Sequence, residues 1–287
     1  MKTILHTHSN PAGHWVGDGF PVRSLFTYDD DVSRTSPFLL LDYAGPHTFA
    51  PTSTRRGVGA HPHRGFETVT IVYQGELEHR DSTGAGGVIG PGDVQWMTAA
   101  DGIVHEEFHS PGFARSAGVL ESVQLWVNLP ARFKRAPAGY QTLASADIPT
   151  VNLGAGAGSL RVIAGEYQGV SGPARTFTPM DVWDLDLEAG AKLVLPIPAG
   201  RTAAVVTLQG GLRLNQVSEA GPCSVTVLAR DGAHVLLEAL QPARVLVLSG
   251  EPIDEPVVAY GPFVMNTREE IIESIEGFQL GKFGRMP

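Results

Sequence analysis

One cysteine, Cys223, in 287 residues leaves no partner for an internal disulfide, and that absence suits a reducing compartment. Cys223 itself reads as a small buried hydrophobe, not a reactive thiol. Basic residues are also scarce: 21 Lys and Arg stand against 30 Asp and Glu, a formal net charge of −9. No basic field exists to recruit nucleic-acid phosphates or an anionic membrane. The densest basic groups, Arg55-Arg56 and Arg132 to Arg135, read as solvated loop charges. No apolar run reaches the length of a membrane span, and the N-terminal MKTILHTHSNPAG lacks a secretory pattern. A cytoplasmic location is expected. Long helical patterns are few, while glycine (34) and proline (21) are abundant, a combination that favours many short strands joined by turns.

Hydrophobic residues make up 43% of the chain, enough for a sizeable core, and its length suits two domains of about 100–150 residues. Thr68 to Tyr73 alternates as a strand with Val69, Ile71 and Tyr73 on one face. Val123–Val127 and Val245–Leu248 read as buried strands. One segment differs. Thr267-Arg268-Glu269-Glu270 has the capping-box pattern, and Ile271, Ile272, Ile275 and Phe278 follow at helical spacing. A short C-terminal helix with one apolar face is expected there.

A weak internal repeat organises the rest. The stretch from His61 to Gly75 aligns without gaps with Pro196 to Gly210; each is a turn, an apolar strand and Gln-Gly. Two tandem β-units follow, at 1–150 and 151–287, with the turn-rich segment from about Pro137 to Gly158 as linker. The second copy holds Pro196 and Pro198 where the first holds His61 and His63, and only His234 of the ten histidines lies beyond residue 109. Proline offers a metal no donor atom, so a metal site belongs to the N-terminal unit.

His61-x-His63 and His105-x-Glu107 are both i, i+2 pairs. On a strand that spacing sends both side chains to one face, roughly 6–7 Å apart. Two such pairs on neighbouring strands can converge four ligands on one ion. Three imidazoles and a carboxylate suit Fe(II), Mn, Ni, Cu or Zn and are too nitrogen-rich for Mg or Ca. His6-Thr7-His8 is assigned no role, and His79 and His109 are expected to face solvent or bond to backbone.

The runs His61–Thr68, Pro91–Ala99 and Gly102–Glu107 together resemble the pirin family of bicupins. Pro37–Asp42, Gln124–Pro130 and Gly261–Thr267 through Gly284 extend the likeness over nearly the whole chain. The resemblance implies an all-β fold of two tandem cupin (jelly-roll type) barrels, of which only the first binds metal, usually iron. It maps the ligand set onto His61, His63, His105 and Glu107. Glu67 fits the general cupin pattern His-x-His-x3-Glu and is the second choice of carboxylate. Asp42 and Gln124 match positions lining or supporting the pocket. Asp42-Tyr43-Ala44 and Asp101 depart from common family residues and would alter the pocket rim.

Two activities follow from the likeness. Some pirins resemble quercetin 2,3-dioxygenases, which implies a metal-dependent enzyme acting on a flavonol, with Glu107 accepting the substrate's hydroxyl proton. Others look like redox-sensitive regulators, which implies a non-enzymatic protein acting through a protein partner. Intact ligand positions argue against a metal-free relic.

Overall fold

A computed structural model describes residues 1–116, 118–154 and 156–286. Compactness divides the chain into two units, each assembled from three stretches. Met1–Ala12, Leu25–Pro37 and Ala146–Pro252 form one; Gly13–Ser24, Phe38–Ser145 and Ile253–Pro287 form the other. Both are antiparallel β-structures of a seven-stranded and a four-stranded sheet, so the all-β, two-barrel reading holds.

In the first unit, β1 (Ile4–Ser9) is the edge of the seven-stranded sheet and pairs with Ser224–Leu228. The four-stranded sheet begins at Lys192–Pro196, whose partner is His234–Ala239. Leu185, Val205 and Val247 from one sheet meet Leu195, Leu212 and Val235 from the other in one apolar core. Cys223 is not the buried hydrophobe expected: it is half-buried in a turn at φ 55, and its carbonyl accepts from Asn10 N–H at 2.8 Å.

The second unit carries the histidines. The strands of its two main sheets are β2 (Gly13–Val16), β3 (Phe20–Phe26), β4 (Phe38–Phe49), β5 (Gly57–His63), β6 (Phe66–Gln74), β7 (Leu77–Asp81), β8 (Gly86–Ile89), β9 (Val94–Thr98), β10 (Ile103–His109), β11 (Gly118–Asn128) and β12 (Gly139–Leu143). The seven-stranded sheet runs β12-β9-β6-β11-β4-β3-β2, and the four-stranded sheet runs β5-β10-β7-β8. β10 lies between β5 and β7, three strands far apart in sequence order.

The stretch expected to be linker contains two strands. β12 pairs with β9 (Gly139↔Thr98 to Leu143↔Val94), and Thr150–Asn152 pairs with Gly158–Ala164. Each covers a sheet edge that would otherwise leave a row of backbone groups unpaired. Their turn-rich composition hides strands this short.

The C-terminal stretch packs on the second unit. Its helix, Arg268–Gln279, starts at Thr267 with both halves of the capping box formed with Glu270. Ile271 is buried and packs with Phe263, Met265 and Phe283, and Ile275 lies against the same cluster. Ile272 is 57% exposed and Phe278 39%. The buried stripe instead takes Ser274 and Gly277, because 272 stands about 100° round the helix from 271. Arg64 donates to Ser274 Oγ (3.2 Å) and to Asp101 Oδ1 (2.7 Å).

Lys134 fastens this segment. Its buried Nζ donates to Gly65 O (2.8 Å), Asn128 Oδ1 (2.7 Å) and Val264 O (2.8 Å). Gly65 sits at φ 91, and a Cβ there would collide with the Val264 carbonyl, so only glycine fits the turn that follows His63.

Candidate metal centre

Strand pairing, more than sequence spacing, assembles the histidines. On β10, His105 is the direct partner of His61 on one side and of Asp81 on the other; Glu107 is the partner of His79. Direct partners in a sheet share a face. The opposite face of these strands is charged: Arg55 and Arg80 pair with Glu106, and Arg55 also covers the Phe108 ring. The register slips between His105 and Glu107 against β5, so Glu107 has no histidine opposite it on that side.

The ring centroids of His61 and His105 are 4.3 Å apart, and each lies 4.8 Å from His63. One ligand atom from each of these three lies within 4.8 Å of the others. Glu107 belongs to a second group of the same size, with His79 and His105. His105 is common to both. The four residues expected to act together are therefore neighbours around His105, with Glu107 reached through His105 and His79.

The rings fit a cation that wants lone pairs. His61 Nδ1 donates to Gly59 O at 2.8 Å, which leaves the lone pair on Nε2. His63 meets the Pro262 carbonyl with one ring nitrogen, and its buried Nδ1 has no hydrogen-bond partner among the described residues. His105 Nε2 is likewise buried without a partner. Burial, then repulsion from the neighbouring imidazoles, holds His63 and His105 well below the ordinary imidazole range. Both are neutral near pH 7, the state in which imidazole binds metal. Buried nitrogens without partners are costly unless something binds them. Three imidazoles with a carboxylate nearby suit a divalent transition metal.

One side of the centre is aromatic. His63 packs edge-on against Phe66 (5.1 Å) and Trp126 (5.2 Å), which stack on each other at 4.3 Å. Glu107 lines a cavity of about 50 Å³ together with Thr70, Gln124, Asp42, Phe20, Val22 and Leu77, among others, and none of the three histidines lines it. Three of its polar residues share one row of the seven-stranded sheet: Asp42, Gln124 and Thr70 are successive partners across β4, β11 and β6, and Gln95 on β9 continues the row beyond the cavity. Thr70 Oγ1 donates to Gln124 Oε1 (2.6 Å) and lies 3.4 Å from Glu107 Oε1. Ser24 Oγ donates to Asp42 Oδ1 at 2.5 Å; burial nonetheless keeps that carboxyl above the usual range.

Glu67 lies elsewhere. Along β6 it alternates with Thr68 and Thr70, and so falls on the face opposite the cavity wall. Thr98 Oγ1 donates to it at 2.7 Å, the Trp96 indole stands beside it, and burial raises its carboxyl to about 7.

His79 does not face solvent as expected. It is 1% exposed and bonded to side chains, while Asp81 is fully buried. Burial pushes Asp81 up, but hydrogen bonds from His79 and Thr83 outweigh it and leave its carboxyl below the usual range. His109 does bond to backbone, at 2.9 Å from Gly19 O. Thr70, His79, Asp81 and Gln95 were missed by sequence reasoning. The signal for two of them was present: Leu77-x-His79-x-Asp81 has the same i, i+2 spacing as the histidine pair.

A model described as Pirin matches residues 19–127, and one described as Pirin C-terminal cupin domain matches residues 182–284. The chain is 60% identical to a Pseudomonas aeruginosa protein named "Putative quercetin 2,3-dioxygenase PA2418", with 99% of each chain covered. It is 40% identical to a "Pirin-like protein" of Caulobacter vibrioides, covering 94% of this chain and 96% of that one. Among solved structures, a quercetin 2,3-dioxygenase from Acinetobacter baumannii superposes with a TM-score of 0.97 at 52% identity, covering 99% of both chains. Two cupin barrels matched in order, and relatives matched end to end, make this chain a member of the pirin family.

Proposed function

We propose that this protein is a metal-dependent dioxygenase of the quercetin 2,3-dioxygenase type. Iron(II) is the expected metal, held by His61, His63 and His105 with Glu107 completing the set. The observation that carries the reading is the meeting of three histidines, two of them with buried nitrogens that have no partner among the described residues, next to Glu107, which shares a second ligand group with His105 and lines a cavity. Relatives at 60% and 52% identity bear quercetin 2,3-dioxygenase names, which supports a flavonol as substrate.

A bound divalent metal supplies Lewis acidity toward a hydroxyl and open positions for small ligands. The chain's own residues do the rest. Glu107 accepts the proton of the flavonol 3-hydroxyl. Gln124 and Thr70 orient the adjoining carbonyl and hydroxyl edge, while Phe20, Val22 and Leu77 exclude water along the other wall. A cavity of about 50 Å³ is well below the roughly 150 Å³ that encloses benzene. Only the reacting edge of a flavonol fits without side-chain movement.

Anaerobic titration of iron-loaded protein with quercetin, then admission of air, tests the proposal. Oxygen uptake with carbon monoxide release is expected, and Glu107→Gln should lower turnover about 10²–10⁴-fold. Absence of turnover on any flavonol by the metal-loaded protein would overturn the enzymatic reading.

A further inference from the structure

The second group around His105 contains a histidine with no assigned task. His79 Nδ1 lies 3.0 Å from Gln95 Nε2 and 3.4 Å from His105 Nδ1; its Nε2 lies 3.3 Å from Asp81 Oδ2. Tyr140 stacks on its ring at 5.0 Å and 21°, and the Tyr140 hydroxyl reaches Gln95 Oε1 at 3.4 Å. Asp81 Oδ1 accepts from Thr83 N–H (2.8 Å), Thr83 Oγ1 (2.6 Å) and Ala85 N–H (3.2 Å).

Two roles are open to such a residue: a further ligand, or a support for His105. The network decides between them. Both nitrogens of His79 are already engaged, so a metal on either would have to displace Gln95 or Asp81. A carboxylate only accepts, so the His79 proton sits on Nε2, pointing at Asp81. Nδ1 is then an acceptor, facing the Gln95 amide and His105 Nδ1. His105 must carry its proton on Nδ1 to satisfy that contact. Its lone pair is left on Nε2, the buried nitrogen with no partner among the described residues.

We propose that His79, oriented by Asp81, Gln95 and Tyr140, is a positioning residue that fixes the His105 tautomer with Nε2 free for the metal. The inference rests on the reading of His61, His63 and His105 as the metal set. The 3.4 Å separation is long for a hydrogen bond, so the contact acts on tautomer and ring orientation more than on strength. Partners of this kind typically change metal affinity 10–100-fold when removed.

Asp81→Asn is the discriminating substitution, because it is isosteric and the Asp81 carboxylate bonds to His79, Thr83 and Ala85 and not to His61, His63 or His105. Thr83 and Ala85 still require an acceptor at Oδ1, so the new amide must point its N–H at His79. His79 then moves its proton to Nδ1, and His105 must accept there and protonate Nε2. Metal binding is opposed by a change of hydrogen-bond direction alone. His79→Gln, in contrast, keeps an acceptor for His105 and a donor for Asp81.

The experiment is titration of the full chain with Co(II), read by its visible ligand-field absorption, beside a melting curve of each metal-free variant. Asp81→Asn should bind Co(II) 10–100-fold more weakly with an altered spectrum and a metal-free melting temperature like that of the wild type. His79→Gln should stay within about tenfold of wild type. Wild-type affinity and spectrum in both Asp81→Asn and His79→Leu would overturn the inference while leaving the metal site intact. Failure of the wild type to bind Co(II), or equal binding by a His61→Ala control, would overturn the site reading and the inference together.

Discussion

His61 and His105 stand directly opposite each other on β5 and β10, with their rings 4.3 Å apart. The closest pair of candidate ligands is therefore made across strands, by residues 44 positions apart in sequence, and not within either i, i+2 motif. Removing one of them should empty the centre. His61→Ala protein is expected to purify with substoichiometric metal by elemental analysis, against about one ion in the wild type. Equal metal in both would remove His61 from the set.

Glu67 offers the complementary control. Its carboxyl faces away from the cavity wall, so Glu67→Gln should keep its metal. The same variant should alter the pH dependence of stability. The Glu67 pKa is raised from 4.5 to about 7 in the folded chain, so the folded state binds more protons between those values. Wild-type stability attributable to Glu67 is full below about pH 4.5 and is lost as the pH rises through about 7. Glu67→Gln should match wild type near pH 4.5 and exceed it at pH 8, by on the order of 3 kcal/mol. Urea unfolding at the two pH values measures the difference; a constant difference would place the burial cost elsewhere.

Lys134 is bonded to three acceptors, two of them main-chain carbonyls on either side of the His63 turn. Lys134→Met leaves those carbonyls and Asn128 buried without a donor, at a cost of about 1–3 kcal/mol for each lost partner. We expect a clear fall in the midpoint of chemical denaturation. Burial lowers the Lys134 pKa from 10.5 to about 7, so the unfolded chain binds the extra proton between those values. The Lys134 contribution therefore rises with pH across that window and is lost as the pH falls through about 7. The gap between wild type and variant should widen from pH 7 to pH 10, and a gap that narrows would refute the assignment.

The C-terminal helix depends on its cap. Thr267→Ala removes the acceptor for Glu270 N–H and should cost about 1 kcal/mol. Amide exchange should speed up first in Arg268–Ile271. Since Arg64 is bonded to Ser274 on that helix, exchange at Gly65 is expected to follow. Unchanged protection at Gly65 would separate the helix from the turn after His63.

Much of the chemistry was legible along the chain because it is local. Period-two alternation marks β6, a mostly apolar run of strand length marks β11, and the capping box places the helix start at Thr267. His61-x-His63 and His105-x-Glu107 each occupy one strand, and the prolines at 196 and 198 mark the repeat without histidines. What could not be read is which strands become neighbours. Backbone hydrogen bonding accepts any pair of strands, and only the packing of the whole unit selects β10 as partner of both β5 and β7.

That selection brings His79 and Asp81 to His105, and its register slip separates Glu107 from His61. It likewise aligns Asp42, Gln124, Thr70 and Gln95 in one row from four strands. The sequence by itself determined the residue types available to a metal and the strand face each would take, because both follow from covalent order and a two-residue period. Only the tertiary structure decided which of them meet, because register between distant strands is set by burial and by closure of the sheet, not by any local preference.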